Sequence, residues 1–189
     1  MSLGLQSGTV DLAPYSESWR ELYEEERRAL ADALGDRVLD IQHVGSTSVP
    51  GMVAKPILDI GIAVRSFMEA ACLVPDMENL NYEYRGEFGI PRRHYYVKGE
   101  PRTHHVHIFE SSSYEWASLV LFRNVLLTEP EVAKAYSDLK KRLRDRHRAE
   151  RTAYQRAKAS FVEEVVRHAI ERDQTRRWSG QSGHLQDKK

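Results

Sequence analysis

The chain has 189 residues with 28 basic side chains, 28 acidic side chains and a single cysteine. This length predicts one domain with a sizeable core, and the balanced charge does not favour general binding to nucleic acids or membrane surfaces. One cysteine excludes an internal disulfide framework and is typical of a reducing compartment. No apolar run approaches the ~20 residues of a membrane helix, and the first residues lack the apolar segment of a secretory signal. We therefore expect a cytoplasmic protein that does not span a membrane.

The first two thirds of the chain alternate helix and strand patterns. Apolar residues at helical spacing predict a helix over residues 17–34, which Gly35 ends. Two short helices are expected between residues 66 and 80, where Pro75 interrupts the pattern. The strand patterns cover, in order, residues 38–44, 57–64, 81–85, 93–98 and 103–109.

From residue 113 onward the pattern is helical. A first helix follows the serines at 111–113 and runs to residue 127, and Thr128 with Glu131 predicts a capping box that begins a second helix. A third helix is expected from about 150 to 172, and residues 174–189 are expected to form a disordered tail. This order of elements predicts a single α+β domain over residues 1–173, with its C-terminal helices over about 113–172.

The stretch from residue 43 to 64 carries the first chemical signal. Gly45 allows the backbone to approach a ligand closely, and the small hydroxyls of a glycine turn can hold phosphate oxygens. The hydroxyls that follow the glycine are those of Ser46, Thr47 and Ser48. Asp59 lies inside an apolar run, where a charge must be paired, bound to a metal or placed at an open strand end. These features predict a nucleotide site in which Lys55 neutralises phosphate, although Asp59 could instead pair structurally with Lys55 or an arginine.

Two histidines give the second signal. His105 and His107 lie two residues apart on a predicted strand and so share one face, where they could bind one metal or contact one phosphate. With Asp59 they would form a two-histidine, one-carboxylate set, and we predict catalytic and metal-binding roles for all three. Mg²⁺ or Mn²⁺ is the expected metal, and the imidazoles make Zn²⁺ an alternative. The structural alternative is one hydrogen-bonded core histidine with the others facing water.

Cationic side chains form the third group. Arg93 and Lys98 are close enough in a predicted hairpin to line an anionic pocket, where the planar guanidinium suits phosphate. Tyr136 and Lys140 are four residues apart on one helical face and are predicted to point back at the site; alternatively, Tyr136 packs between helices and Lys140 is solvated. The basic run 140–148 could dock on nucleic-acid phosphates. Because it lacks interleaved aromatic residues, the expected partner is a nucleotide or a phosphorylated small molecule rather than nucleic acid.

Taken together, these motifs resemble the GrpB family over about residues 10–170. The matching segments are residues 10–15 with Trp19, 43–51, 55–57 with Asp59 and Ile60, 84–87, 89–93, 103–107, 121–123, and Tyr136 with Leu139 and Lys140. The resemblance implies a minimal, polymerase-β-like nucleotidyltransferase fold, whose signature is Gly-Ser followed after around ten residues by Asp, an apolar residue and a second Asp or Glu.

This chain matches only part of that signature. Gly45, Ser46 and Asp59 fit, but the second carboxylate falls on Gly61, and the strand expected to carry a third carboxylate offers histidines instead. Two-metal catalysis requires ligands that clamp the attacking and leaving oxygens. Three hypotheses therefore stay open: nucleotidyl transfer to a small molecule or protein, a catalytically silent nucleotide- or phosphate-binding module, and a metal-dependent phosphohydrolase.

Overall fold

The computed structural model describes the backbone of residues 3–6 and 8–182, and their side chains except those of 151 and 175–182. The helices and strands, in chain order, are α1 (Ser18–Leu34), β1 (Asp40–Val44), β2 (Leu58–Val64), α2 (Val74–Asn79), β3 (Tyr82–Tyr84), β4 (His94–Lys98), β5 (His104–Glu110), α3 (Tyr114–Thr128), α4 (Pro130–Arg146) and α5 (Arg151–Ser182). A 3₁₀ turn over Ser46–Ser48 follows β1.

The strands form one mixed sheet in the order β1-β2-β5-β4-β3. β2 and β5 are parallel, and every other neighbouring pair is antiparallel. Three consecutive helices follow the sheet, so the predicted α+β class is confirmed. The parallel β2–β5 pair has the greatest consequence for the site, since it places Asp59 opposite His105 and Gly61 opposite His107.

The two faces of the sheet have different chemistry because side chains alternate along each strand. On one face, the even-numbered residues of β2 pack against α1 and α2. This face forms the main core, which includes Trp19, Leu30 and Leu34 of α1 with Leu58, Ile60, Ile62, Val106 and Ile108 of the sheet. The opposite face carries Asp59, Gly61, His105 and His107 and is crossed by α3. The alternation therefore separates the apolar core from the polar residues of the predicted site.

The C-terminal helices are positioned above the glycine turn by a second apolar cluster. Its buried members are Val49, Met52, Phe122, Leu126, Tyr136 and Val166. Val49 and Met52 come from the segment just after the turn, whereas the other members come from α3, α4 and α5. Burial of these side chains stabilises the contact by about 1.5–3 kcal/mol for each large residue and holds α4 against the turn.

Three local predictions differ from the structure. Pro75 lies in the first turn of α2. N–H groups in the first turn make no hydrogen bond within the helix, so the proline is compatible with the start of α2 and does not interrupt a helix. The predicted capping box is wrong, because Thr128 is the last residue of α3 and its hydroxyl donates to the Asn124 carbonyl at 2.9 Å. Glu129 is the N-cap of α4, and its side chain makes no capping hydrogen bond.

The last helix is longer than predicted. α5 continues to Ser182 instead of ending near Arg172, so residues 174–182 of the predicted tail are helical. No glycine or proline occurs between residues 173 and 179, and glutamine and arginine are good helix formers. The rest of that predicted tail, 183–189, lies outside the described residues. Within the described chain, none of the helices is both long and apolar enough to cross a membrane.

Candidate functional site

The glycine turn is built around a close approach between backbone and carboxylate. Gly45 has a φ of 68°, which favours glycine, and a Cβ there would lie 2.7 Å from Asp59 Oδ2. The Ser48 hydroxyl donates to the Gly45 carbonyl at 2.6 Å, and buried Thr47 hydrogen-bonds to Nε2 of His43 through its hydroxyl at 3.0 Å. Thr47 and Ser48 therefore hold the turn itself, and Ser46 is the hydroxyl that meets the helices.

Asp59 is the centre of a polar network on β2, β5 and the residue just before β4, which we call the Asp59 network (Asp59, His105, His107 and Arg93). Nδ1 of His105 lies 3.0 Å from Asp59 Oδ1, and Nε2 of His107 lies 3.7 Å from the same oxygen. Arg93 Nη1 is 3.2 Å from Nδ1 of His107. The structure thus brings together the three residues predicted to be catalytic and adds the predicted arginine.

The partners of this network determine which ring nitrogens carry protons. A guanidinium can only donate, so Nδ1 of His107 accepts from Arg93 and its N–H is on Nε2, directed at Asp59. Burial would raise the pKa of Asp59, but the hydrogen bond from His105 and the nearby imidazole of His107 outweigh it and hold that pKa well below its usual range. The carboxylate is therefore ionised and accepts, which makes Nδ1 of His105 a donor. Burial lowers the pKa of His105 to about 4, so this imidazole is neutral at pH 7.

A buried lysine contacts the turn from the opposite side. Lys140 on α4 is 2% exposed, and its Nζ donates to Ser46 Oγ at 2.8 Å and to the Val53 carbonyl. Burial, and then the positive charge of Lys158, lower the pKa of Lys140 to about 7, although Asp59 partly opposes them. The predicted orientation of Lys140 towards the turn is thus observed.

Two more lysine amines act on Lys140. The Nζ atoms of Lys55 and Lys158 lie 5.9 Å and 5.8 Å from the centroid of the buried Tyr154 ring on α5. Both lysines lower the pKa of Lys140 through their charge. We call Lys55, Lys140 and Lys158 the lysine cluster; its charges and that of Asp59 interact at Lys140, and Lys140 contacts Ser46.

The structure also explains why a second signature carboxylate is missing. A Cβ at Gly61 would lie 3.0 Å from Leu119 Cδ2 and 3.1 Å from Trp116 Cζ3. These two side chains belong to α3, which crosses the sheet at this point. The position that the nucleotidyltransferase signature gives to a carboxylate is therefore covered by apolar side chains.

Comparison with known proteins assigns the chain to a family. The family model described as GrpB protein matches residues 9–168. The chain belongs to the GrpB family. It is 37% identical over 161 residues to the UPF0157 protein YqkA of Bacillus subtilis (strain 168), covering 85% of this chain and 47% of YqkA. The chain therefore spans about half the length of that curated relative.

A solved structure agrees with this assignment. The crystal structure of conserved protein GrpB from Enterococcus faecalis is similar with a TM-score of 0.79 and 36% identity, covering 86% of this chain and 98% of that one. A more distant likeness is to the Cid1 poly(U) polymerase bound to MgGTP, with a TM-score of 0.48 and 12% identity over 70% of this chain and 44% of that one. A likeness this low carries no argument about activity.

Lys98 is not part of the site in this GrpB-family chain. Its Nζ lies 2.8 and 2.9 Å from the two carboxylate oxygens of Glu26, on the sheet face that packs against α1. His104 lies on this face too, with Nε2 3.8 Å from Glu26. Arg93 and Lys98 are five residues apart, and an odd separation in a strand places side chains on opposite faces. The prediction that both line one pocket is therefore wrong.

Two further residues contribute to the lysine cluster: Tyr136, which was predicted, and Lys158, which was not. Tyr136 is buried between Phe122 and Phe161, with its ring 4.9 Å below the Lys140 amine, so it supports the lysine from within the core. The sequence analysis missed Lys158. A signal was present, because Tyr154 and Lys158 repeat the four-residue spacing of Tyr136 and Lys140.

The Asp59 network does not have the arrangement of a metal centre. Nδ1 of His107 accepts from Arg93, and both imidazoles direct an N–H, not a lone pair, at the same oxygen of Asp59, at 3.0 Å from His105 and 3.7 Å from His107. Across the described part of the chain, no three His, Cys, Asp or Glu side chains form a group that could hold a metal ion. The metal role of Asp59, His105 and His107 stays a prediction that this hydrogen bonding does not favour.

Two surface grooves of the described chain lie away from this region. One runs between α3, α4 and α5 beside the Arg172–Glu129 ion pair, and the other lies along α5 near Tyr114. Neither is lined by any of the predicted site residues, so the grooves do not change the location of the candidate site.

Proposed function

We propose that this GrpB-family protein binds a phosphorylated small molecule, with a nucleotide as the favoured ligand. Its phosphates would lie at Ser46 and be neutralised by the lysine cluster. The observation that carries the proposal is the Lys140 amine, which is 2% exposed and donates to Ser46 Oγ. A desolvated amine close to two other amines is costly unless an anion compensates it. Phosphate supplies that charge and accepts several hydrogen bonds at once.

Binding should be coupled to proton uptake. The pKa of Lys140 is lowered to about 7 by burial and by neighbouring amines, and a phosphate beside the amine would raise it. The affinity for phosphates should therefore fall above pH 7, because the amine must gain a proton when the anion binds.

The geometry supports binding more strongly than two-metal nucleotidyl transfer. Transfer of that kind needs several carboxylates to hold two metal ions, whereas Leu119 and Trp116 cover the second signature position. A metal-dependent phosphohydrolase would need His105 and His107 as ligands, but His105 donates an N–H to Asp59 and Nδ1 of His107 accepts from Arg93. We therefore favour a binding module that keeps the Gly-Ser turn and one signature carboxylate.

Thermal unfolding with added ligands tests this function. We expect inorganic tripolyphosphate and ATP, without added metal, each to raise the melting temperature, since a ligand at 100 times its Kd stabilises the native state by about 2.7 kcal/mol. Lys140→Met should abolish the shift. Lys134→Met is the matched control, because Lys134 lies on the same helix, is 74% exposed and pairs with Asp138; it should keep the shift.

The outcome with metals separates the alternatives. A shift by neither ligand, with or without Mg²⁺, Mn²⁺ or Zn²⁺, would overturn the proposed function. A shift that requires a metal and disappears in Asp59→Asn would instead support a metal site at the Asp59 network and return the enzymatic hypotheses to first place.

A further inference from the structure

An aromatic side chain is exposed beside the Asp59 network. Phe88, in the loop between β3 and β4, is 64% exposed, yet its ring stacks on Tyr95 with centroids 5.2 Å apart and planes 23° apart. The Tyr95 ring lies 5.1 Å from His107 and 5.6 Å from His105. The rings thus form an aromatic row (Phe88, Tyr95, His107 and His105) that begins in the loop and ends at Asp59.

The loop holds Phe88 in a conformation that side chains rarely adopt. Its φ is 44°, in the left-handed region that disfavours non-glycine residues. Arg93 compensates by donating to the Phe88 carbonyl at 2.9 Å and to the Glu87 carbonyl at 3.1 and 3.2 Å. The same guanidinium orients His107 and is 5% exposed. Strained backbone that the surrounding structure maintains in this way clusters at ligand sites.

The aromatic row and the residues around the glycine turn lie on the same face of the sheet. The Tyr95 ring on β4 contacts the His105 ring on β5, and His105 pairs with Asp59 on β2. Two strand spacings separate β4 from β2, a distance of about 10 Å. Gly45, at the start of the glycine turn, touches Asp59 on β2. This layout fits a ligand with a flat ring at one end and phosphates at the other.

We propose that the exposed face of the Phe88 ring stacks on the nucleobase of a nucleotide whose phosphates bind at Ser46 and Lys140. The inference rests on the proposed function and adds the residue that selects nucleotides, because an aromatic platform recognises a base that inorganic phosphates and sugar phosphates lack. Base–aromatic stacking tolerates every base, since each has a π-face. Phe88 should therefore distinguish nucleotides from simple polyphosphates more strongly than one base from another.

Calorimetric titration with two probes, ATP and inorganic tripolyphosphate, tests the stacking site. Replacing Phe88 by alanine should weaken ATP binding about five- to 150-fold, the range expected for one base stacked on an aromatic ring, and leave tripolyphosphate binding unchanged. Phe88→Trp should keep ATP binding. Phe88→Gly also removes the ring but suits the φ of 44°, so it should reproduce the alanine result in a relaxed loop. Leu127→Ala, at an apolar position on α3 that is 47% exposed, is the control.

The two probes separate the inferences. If neither binds the wild-type protein, the proposed function fails and the stacking site fails with it. If both bind and Phe88→Gly leaves both affinities unchanged, the stacking site is wrong while the phosphate site stands. An equal loss of both probes in Phe88→Gly would also refute stacking, because it would show that the loop supports the phosphate site rather than a base.

Discussion

Replacing Lys140 by methionine tests the energetics of the buried amine. Its pKa is lowered from an ordinary 10.5 to about 7, first by burial and then by Lys158. Between these two pH values the unfolded chain keeps a proton that the folded protein has released. The wild-type protein therefore gains stability with rising pH across this window, at about 1.4 kcal/mol per pH unit for one proton. From pH 7.5 to 9.5 the gain is about 2–3 kcal/mol.

Methionine has a similar shape and no titrating proton, so Lys140→Met should lack this gain. Below pH 7 the charged, buried amine lowers the free energy of unfolding of the wild-type protein by on the order of 5 kcal/mol, compared with a lysine of ordinary pKa. The variant should therefore be as stable as the wild-type protein or more stable there, as is often found when a buried charge is replaced by an apolar side chain. The lost hydrogen bonds to Ser46 and Val53 offset part of this benefit.

Urea unfolding at pH 7.5 and 9.5 measures the effect. The free energy of unfolding of the wild-type protein minus that of Lys140→Met should rise by about 2–3 kcal/mol between the two pH values. Lys134→Met is the control, because its hydrogen bond to Asp138 raises the pKa of Lys134 and keeps it protonated in both states; that variant should follow the wild-type pH dependence. A difference between wild type and Lys140→Met that does not change with pH would refute the argument that this amine is desolvated.

Two further predictions concern Asp59's neighbours. Gly61→Asp restores the signature carboxylate but should destabilise the protein by at least about 1–3 kcal/mol in urea, because the new side chain meets Leu119 under α3; a variant of wild-type stability that binds Mg²⁺ would contradict this. Burial lowers the pKa of His105 to about 4. The stability that comes from this neutral imidazole is present above pH 6.5 and is lost as the pH falls towards 4. Between pH 7 and 5 the free energy of unfolding should fall by about 2 kcal/mol from this group. His105→Gln should lose less stability than wild type over that interval, and equal losses in urea would argue against a neutral, buried imidazole.

Several features of the site follow from local sequence patterns. Strand alternation places Asp59 on the opposite face from Leu58 and Ile60. That the carboxylate faces away from the apolar core can therefore be predicted without knowing the fold. The four-residue spacing of Tyr136 and Lys140 likewise places both on one helical face. The same reasoning, carried further, would have excluded Lys98 from the pocket of Arg93, because their odd separation places them on opposite faces. It would also have drawn attention to Lys158 through the repeated tyrosine–lysine spacing.

Other features depend on contacts between distant segments. The parallel pairing of β2 with β5 puts Asp59 beside His105, 46 residues later, and makes His105 a donor to the carboxylate. The crossing of α3 covers Gly61. Strand alternation and helix spacing are local properties of the chain, so the sequence by itself determined which residues share a face. Burial of Lys140 against Ser46 comes from the packing of three helices on the turn, and the desolvation and charge that lower its pKa exist only once that packing has formed.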